Sequence, residues 1–315
     1  MLAPICLFTY NRLAETKQTV EALQKNFLAT QSHLIIFSDG AKNERSNSKI
    51  TAVRQYLKTI DGFKSIKIYE SQKNKGLAGS IIEGVTKTIE EYGKVIVLED
   101  DLITSQNFLN FMNKALDHYA TKEIIKSING FSPEIKKLKT GTPDVYFQTR
   151  TFPWGWATWK NRWSSEIFSK EKIKKEINDD KNILRVFKKD CGNDIAKMLL
   201  DSISGKNDSW YVRWVFEHYR TQALALYPKY TLVGNSGFNE NGTHCKTINP
   251  YKSIIDSDFR EKTCFDFDTQ IEIDPIIKRQ FLRYFSIKYR IILRVKLLFD
   301  EGGVGVLWND IKSRL

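Results

Sequence analysis

No two cysteines of this chain stand at C-x-x-C spacing; Cys6, Cys191, Cys245 and Cys264 lie far apart. That argues against a thiolate zinc site and fits a reducing, cytosolic compartment. No uncharged apolar run reaches the about 18 residues that a spanning helix needs. The short apolar stretch near the start has no basic leader and is cut by Asn11-Arg12, so a secretory signal is not expected there. The chain also lacks internal repeats, low-complexity tracts and, after its first apolar run, the G-x-G-x-x-G turn of dinucleotide-binding folds. Histidine is scarce, with 4 among 315 residues, which leaves few nitrogen ligands for a metal.

What is present is a globular composition, 41% apolar and 27% charged. The length allows one large domain or a domain plus an appendage. The 49 basic residues exceed the 37 acidic ones, and the net charge of +12 favours a polyanionic partner: nucleic acid, anionic lipid or a phosphorylated substrate.

Four apolar runs, residues 4–8, 33–37, 65–69 and 94–98, are rich in Ile and Val and lack clean alternation, as strands covered on both faces should. Helical periodicities fall at 13–28, 46–60, 77–91 and 106–119. This alternation predicts a parallel α/β sheet with right-handed crossovers. Each run ends in a polar or glycine-containing segment: Thr9-Tyr10-Asn11-Arg12, Ser38-Asp39-Gly40, Asn74-Lys75-Gly76 and Glu99-Asp100-Asp101. Open parallel sheets bind ligands at the carboxyl ends of their strands, so the four segments are expected on one rim. Carboxylates, an amide, a lysine and an arginine on one rim suit a sugar nucleotide, with acids for base, ribose and metal and cations for the diphosphate.

The stretch KVIVLEDDL, residues 94–102, is the sharpest of these signals. Adjacent carboxylates disfavour one another's ionisation, and a divalent cation resolves the conflict. A strand end followed by an N-cap at Asp101 or Thr104 explains one acid well and three in a row less well.

The second half is aromatic. TFPWGWATWKNRW, residues 151–163, holds four tryptophans. They read equally as core and as the wall of a ligand site, with Gly155 allowing a tight chain path between Trp154 and Trp156. Residues 166–190 read as solvated helices of mixed charge. Asp208 precedes a helix containing Trp210, Trp214 and Phe216, either as its N-cap or as a general base tuned by burial. The stretch 227–245 reads as an extended segment followed by a Gly/Asn loop with Glu240 and His244. A lone loop histidine is usually no ligand but becomes a candidate opposite an acidic cluster.

In order, the segments FTYNR, FSDG, NKGLAGS, VIVLEDDL, FPWGWATW and NDSWYVRW resemble GT-A-fold glycosyltransferases, nearest a bacterial group related to the Golgi N-acetylglucosaminyltransferase that initiates complex N-glycans. The resemblance spans residues 3–245 and is specific as a set. It implies a GT-A (Rossmann-like) α/β fold: a mostly parallel sheet flanked by helices, with a C-terminal helical extension. Residues 1–250 form the transferase domain, 1–120 binding the nucleotide sugar and 121–250 the acceptor, and 251–315 form the extension. It implies that Asp101 ligates Mn2+ or Mg2+, that Asp100 approaches the ribose or a metal-bound water, and that Glu99 meets a donor-sugar hydroxyl. Thr9, Asn11, Arg12 and Asp39 match segments that hold the nucleoside, and Lys75 and Gly76 lie near the donor. Asp208 matches the catalytic base, with Glu240 as fallback, and His244 falls where some members place a late metal or phosphate ligand.

Residues 275–299 carry seven basic residues and no acidic one, and on a helical wheel Ile277, Phe281, Phe285, Ile292, Val295 and Phe299 oppose Arg279, Arg283, Arg290 and Arg294. A basic amphipathic helix reads as contact with an anionic membrane surface; the alternative is a helix packed on the domain with a solvated cationic face. The expected activity is therefore metal-dependent, inverting transfer of a sugar from a nucleotide donor, UDP foremost, to a glycan acceptor, lipid-linked, in cell-surface polysaccharide synthesis. The enzyme would be peripheral at the inner face of the plasma membrane. A sugar-nucleotide pyrophosphorylase would want a glycine-rich basic loop where TYNRLAET stands. A non-enzymatic lipid- or nucleic-acid-binding protein would leave the acidic rim unexplained, so nucleic acid is not an expected partner.

Overall fold

The computed structural model describes residues 1–139, 143–237, 249–251, 253–267 and 270–298, with backbone alone at 139 and 296–298. The strands are β1 Ile5–Thr9, β2 His33–Ser38, β3 Ser65–Glu70, β4 Lys94–Glu99, β5 Leu102–Thr104, β6 Ile125–Asn129, β7 Val145–Gln148, β8 Trp156–Trp159, β9 Leu224–Pro228 and β10 Val233–Asn235. The helices of the first half are α1 Leu13–Gln24, α2 Glu44–Leu57, α3 Gly76–Tyr92 and α4 Phe108–His118. Those of the second are α5 Lys170–Asp179, α6 Ile183–Cys191, α7 Ile195–Ile203, α8 Trp210–Arg220, α9 Ser257–Glu261, α10 Pro275–Arg283 and α11 Ile287–Leu298.

Among the described residues, eight strands form one sheet in the order β3-β2-β1-β4-β8-β6-β9-β7. β1, β2, β3 and β4 are mutually parallel; β8 runs antiparallel between β4 and β6, β9 is parallel to β6, and β7 is an antiparallel edge. The expected α/β fold, a mostly parallel sheet flanked by helices with a helical C-terminal extension, is what the chain forms. β5 pairs with β10 in a separate antiparallel ribbon.

The apolar runs are continuous because alternate residues enter two different cores. Ile5, Leu7, Leu34, Ile36, Ile96 and Leu98 join a core that includes Val20 and Leu23 of α1, Val53 of α2 and Phe111 of α4. Cys6, Phe8, Val95 and Val97 face Ile81 and Val85 of α3 and Trp156, Trp210 and Trp214. At about 1.5–3 kcal/mol for each fully buried side chain, this two-sided burial overrides the modest helix propensity of such runs. β3 departs from the expectation: it is the sheet's other edge, and its residues are half-buried or exposed. At Gly84 of α3 an added Cβ would stand 2.7 Å from the Phe8 ring, so this helix lies against the sheet closer than any side chain permits. α3 ends at Gly93, whose φ of 77° turns the chain straight into β4.

The C-terminal segment is two helices rather than one. Ser286 ends the first and starts the second: its hydroxyl donates to Arg283 O (2.7 Å) and accepts from Tyr289 N (3.1 Å). Ile277, Phe281 and Phe285 pack with Tyr146 and Tyr227 in a third core. No described helix is long and apolar enough to cross a membrane.

Candidate active site

The parallel register sets Thr9 beside Ser38 and Phe8 beside Glu99, so the ends of β1, β2 and β4 lie side by side. Two clusters form on this rim.

The first joins the turn after β1 to the end of β4. Arg12 Nη1 donates to Asp101 Oδ2 at 3.1 Å, and its Nη2 makes a short contact with Asp100 Oδ1. Tyr10 N donates to Asp100 Oδ2 at 3.2 Å. Two acids thus share one guanidinium, with Glu99 the neighbouring residue. Burial, then the charges of Asp101 and Asp100, push the Glu99 carboxyl up to about 8, with Arg12 acting in the opposite direction. Burial likewise raises Asp100 to about 6 against the pull of Arg12. Arg12 itself is held well above its ordinary value by Asp100 and Asp101, in spite of its own burial. Thr9 is buried and its Oγ1 has no hydrogen-bond partner among the described residues; Asn11, half-buried, follows in the same turn.

The second cluster surrounds the first turn of α3. Asp39 Oδ1 accepts from Gly40 N (2.8 Å) and Lys75 N (2.9 Å), and its Oδ2 from Asn74 Nδ2 (3.0 Å) and Gly76 N (3.1 Å). Asp208 Oδ2 accepts from Ala78 N at 3.1 Å. Two carboxylates at a helix N-terminus satisfy donors that the helix cannot and complement its dipole. Gly76 has φ of 72°, and a Cβ there would meet Asp208 Oδ2 at 2.6 Å, so glycine is required twice over. Asp208 is therefore not the N-cap of α8. Ser209 takes that place, accepting from Val212 N, while Asp208 reaches across to α3, exposed. Lys75 contributes its backbone to this turn; its Nζ pairs with Glu83 at 2.6 Å.

The sequence reading missed two contributors. Arg54 of α2 donates to Ser38 Oγ and to the carbonyls of Ser38, Asp39 and Ser71, tying the ends of β2 and β3 together. Nothing in its helical periodicity marks it out. Downstream of β10, Ser236 N donates to Asp101 O at 2.8 Å, and a Cβ at Gly237 would stand 2.3 Å from Asp101 Oδ2. The Gly/Asn character of this loop was visible, but not that it lands on Asp101. Glu240 and His244 lie outside the described residues. Of the tryptophans in 151–163, Trp156, Trp159 and Trp163 are core and Trp154 alone is half-buried.

Among the described residues no three His, Cys, Asp or Glu side chains are grouped to hold a metal ion. The donor set at Asp100 and Asp101 nevertheless fits a hard divalent cation. It is all oxygen, and its acids outnumber the one guanidinium between them.

A parallel rim with clustered carboxylates, an arginine and a tightly turned helix N-terminus lies where open α/β sheets bind their ligands. Residues 5–189 match the model of glycosyl transferase family 2, and the chain belongs to that family. The sheet described above is the GT-A architecture of a glycosyltransferase. No curated protein matches the sequence. Among solved structures, residues 1–349 of TarS from S. aureus align with a TM-score of 0.42 at 12% identity, covering 76% of this chain and 61% of that one. The mannosyltransferase PcManGT from Pyrobaculum calidifontis, solved with GDP-Man and Mn2+, aligns with a TM-score of 0.37 at 11% identity over 50% of this chain and 44% of that one. The galactosyltransferase LgtC, solved with donor and acceptor sugar analogs, gives 0.35 at 10% identity over 55% and 64%. The chain spans less than two thirds of the length of each of these structures.

Proposed function

We propose that this family 2 member is an inverting, metal-dependent glycosyltransferase that moves a hexosyl or N-acetylhexosaminyl group from a UDP donor to a hydroxyl of a lipid-linked glycan. It works in bacterial surface-polysaccharide synthesis at the inner face of the plasma membrane, and is kin to the Golgi enzyme that its motifs resemble. Residues 1–120 serve the donor, 121–250 the acceptor, and the extension the membrane. The observation that carries the reading is the rim itself, with Arg12 seated between Asp100 and Asp101 beside the α3 turn that Asp39 and Asp208 hold.

Asp101, with Asp100, would hold Mn2+ or Mg2+, and His244 is the further ligand that the resemblance supplies. When bound, such an ion acts as a Lewis acid that offsets charge on a departing diphosphate. The chain's own groups do the rest. Arg12 exchanges its carboxylate partners for donor phosphate oxygens, a geometry that its planar fork suits. The orphaned Thr9 hydroxyl and the adjacent Asn11 meet the nucleoside. Asp39 serves by fixing the 74–76 turn, so that Lys75 and Gly76 present backbone to the donor. Glu99 meets a donor-sugar hydroxyl. Asp208 Oδ2 is tethered to α3, and its other oxygen makes no hydrogen bond among the described residues; it takes the proton of the acceptor hydroxyl as that oxygen attacks the anomeric carbon from the face opposite the leaving diphosphate. Glu240 is the fallback for this role.

Nucleoside diphosphate release, measured over a panel of UDP- and GDP-sugars with Mg2+ or Mn2+, tests the reading. A UDP-sugar turned over only with the ion is expected, and Asp208→Asn should lower kcat about 10²–10⁴-fold without changing the thermal midpoint. Near wild-type turnover by the folded variant removes Asp208 as base, and metal-independent turnover removes the ion.

A further inference from the structure

α10 and α11 share one cationic composition, yet they spend their apolar residues differently. α10 turns Ile277 and Phe281 inward, and Phe285 follows them into the same core. α11 turns its aliphatic residues outward: Ile287 is 60% exposed, Ile291 55%, Ile292 44% and Val295 46%. At 100° per residue these four, with exposed Lys288, occupy one continuous side of the helix. Tyr289, Arg290 and Leu293 occupy the other, and Arg290 pairs with Asp194 at 3.1 Å. The face shown to solvent is thus the apolar one, the reverse of an ordinary surface helix.

The helix is also firmly mounted. Asn193 N donates to Phe285 O (3.2 Å), and the buried Arg150 guanidinium stacks 3.6 Å from the Phe285 ring while gripping Asp194. Residues 275–298 contain no acid, and Arg279 and Arg283 are exposed on the adjoining helix. Exposed aliphatic side chains with Lys288 among them, on a segment that carries seven cations and no acid, complement an anionic bilayer: the side chains enter the interface and the cations meet headgroups.

We propose that the outward face of α11, and not the whole 275–299 segment, is the membrane-binding surface of this protein, lying flat on anionic lipid while α10 and the Arg150–Asp194 anchor hold it to the catalytic domain. This deepens the reading of a lipid-linked acceptor, and its test is independent of the transfer reaction.

The full chain should float with vesicles of phosphatidylcholine and phosphatidylglycerol and remain behind with phosphatidylcholine alone. The double variant Ile291→Glu/Ile292→Glu should bind the anionic vesicles at least tenfold more weakly with an unchanged thermal midpoint, and Lys288→Glu about fivefold or more weakly. A control pair on α10, Arg279→Gln and Ile276→Gln, should cost less than either. Equal flotation of wild type and the double variant overturns the proposal. So does a concentration-dependent dimer in light scattering that the double variant abolishes in the absence of lipid, which would make the face a contact between copies. UDP release in solution, by contrast, reports only on the transferase reading.

Discussion

Arg150 and Arg12 both grip aspartates, and they do so in opposite circumstances. Arg150 is 1% exposed and bidentate to Asp194, and it also donates to Cys191 O and the Tyr211 hydroxyl. Arg290 adds a second cation to the same aspartate, which lies below its ordinary pKa because Arg150 and Arg290 outweigh its burial. Arg12 faces the reverse balance, one cation for the two carboxylates it touches with Glu99 beside them, and Glu99 and Asp100 are pushed up rather than down. The difference teaches what separates a structural pair from a candidate site. Arg150 leaves nothing for a ligand to improve, whereas the Arg12 cluster is short of positive charge at the edge where the sheet opens to solvent.

Breaking the saturated pair should have the larger effect. Arg150→Met leaves Asp194 buried with only the half-exposed Arg290, and should cost about 3–5 kcal/mol of unfolding free energy in urea titrations. A loss under 1 kcal/mol would mean that the pair is ornamental. Arg12→Gln should cost less, about 1.5–3 kcal/mol at pH 8, and less again at pH 5, where the acids around it take up protons. The comparison sharpens on adding Mn2+: the ion should raise the thermal midpoint of Arg12→Gln more than that of wild type, because it supplies the charge removed. It should not rescue Arg150→Met. An ion that stabilises both variants equally contradicts the assignment of the acidic cluster.

Glu99→Gln should change stability in the opposite sense. With its folded value near 8 and its ordinary value at 4.5, Glu99 holds a proton in the native state that the unfolded chain has released. Stability of the metal-free protein therefore falls as pH rises between those values. The Gln variant should lack this slope, matching wild type near pH 4 and exceeding it at pH 9. A parallel pH profile for the two proteins would show that Glu99 titrates normally.

The first half was legible because its signals are local. Residues 94–98 read as a strand and 77–91 as a helix, and the structure has Lys94–Glu99 and Gly76–Tyr92. The rim followed from strand ends alone, and it brought Arg12 to Asp100 and Asp39 to Gly76. The second half resisted because its information is in contacts between distant residues. Nothing local says that Trp156 should stack on Trp210 at 5.1 Å, or that β8 should run antiparallel into the middle of the sheet. The helical wheel placed Ile277, Phe281 and Ile292 on one side, but a wheel has no means of seeing the break at Ser286, which sends the first two into the core and the third to solvent.

The sequence by itself determined the parallel strands, their helices and the acids at their ends, since apolar periodicity and strand polarity act over a few residues. Tertiary structure alone decided that Asp208 caps a helix some 130 residues away, that Arg12 sits between Asp100 and Asp101, and that α11 shows its apolar side outward. Those outcomes depend on which surfaces meet once the sheet has assembled, and on how burial then divides charge among the groups that meet there.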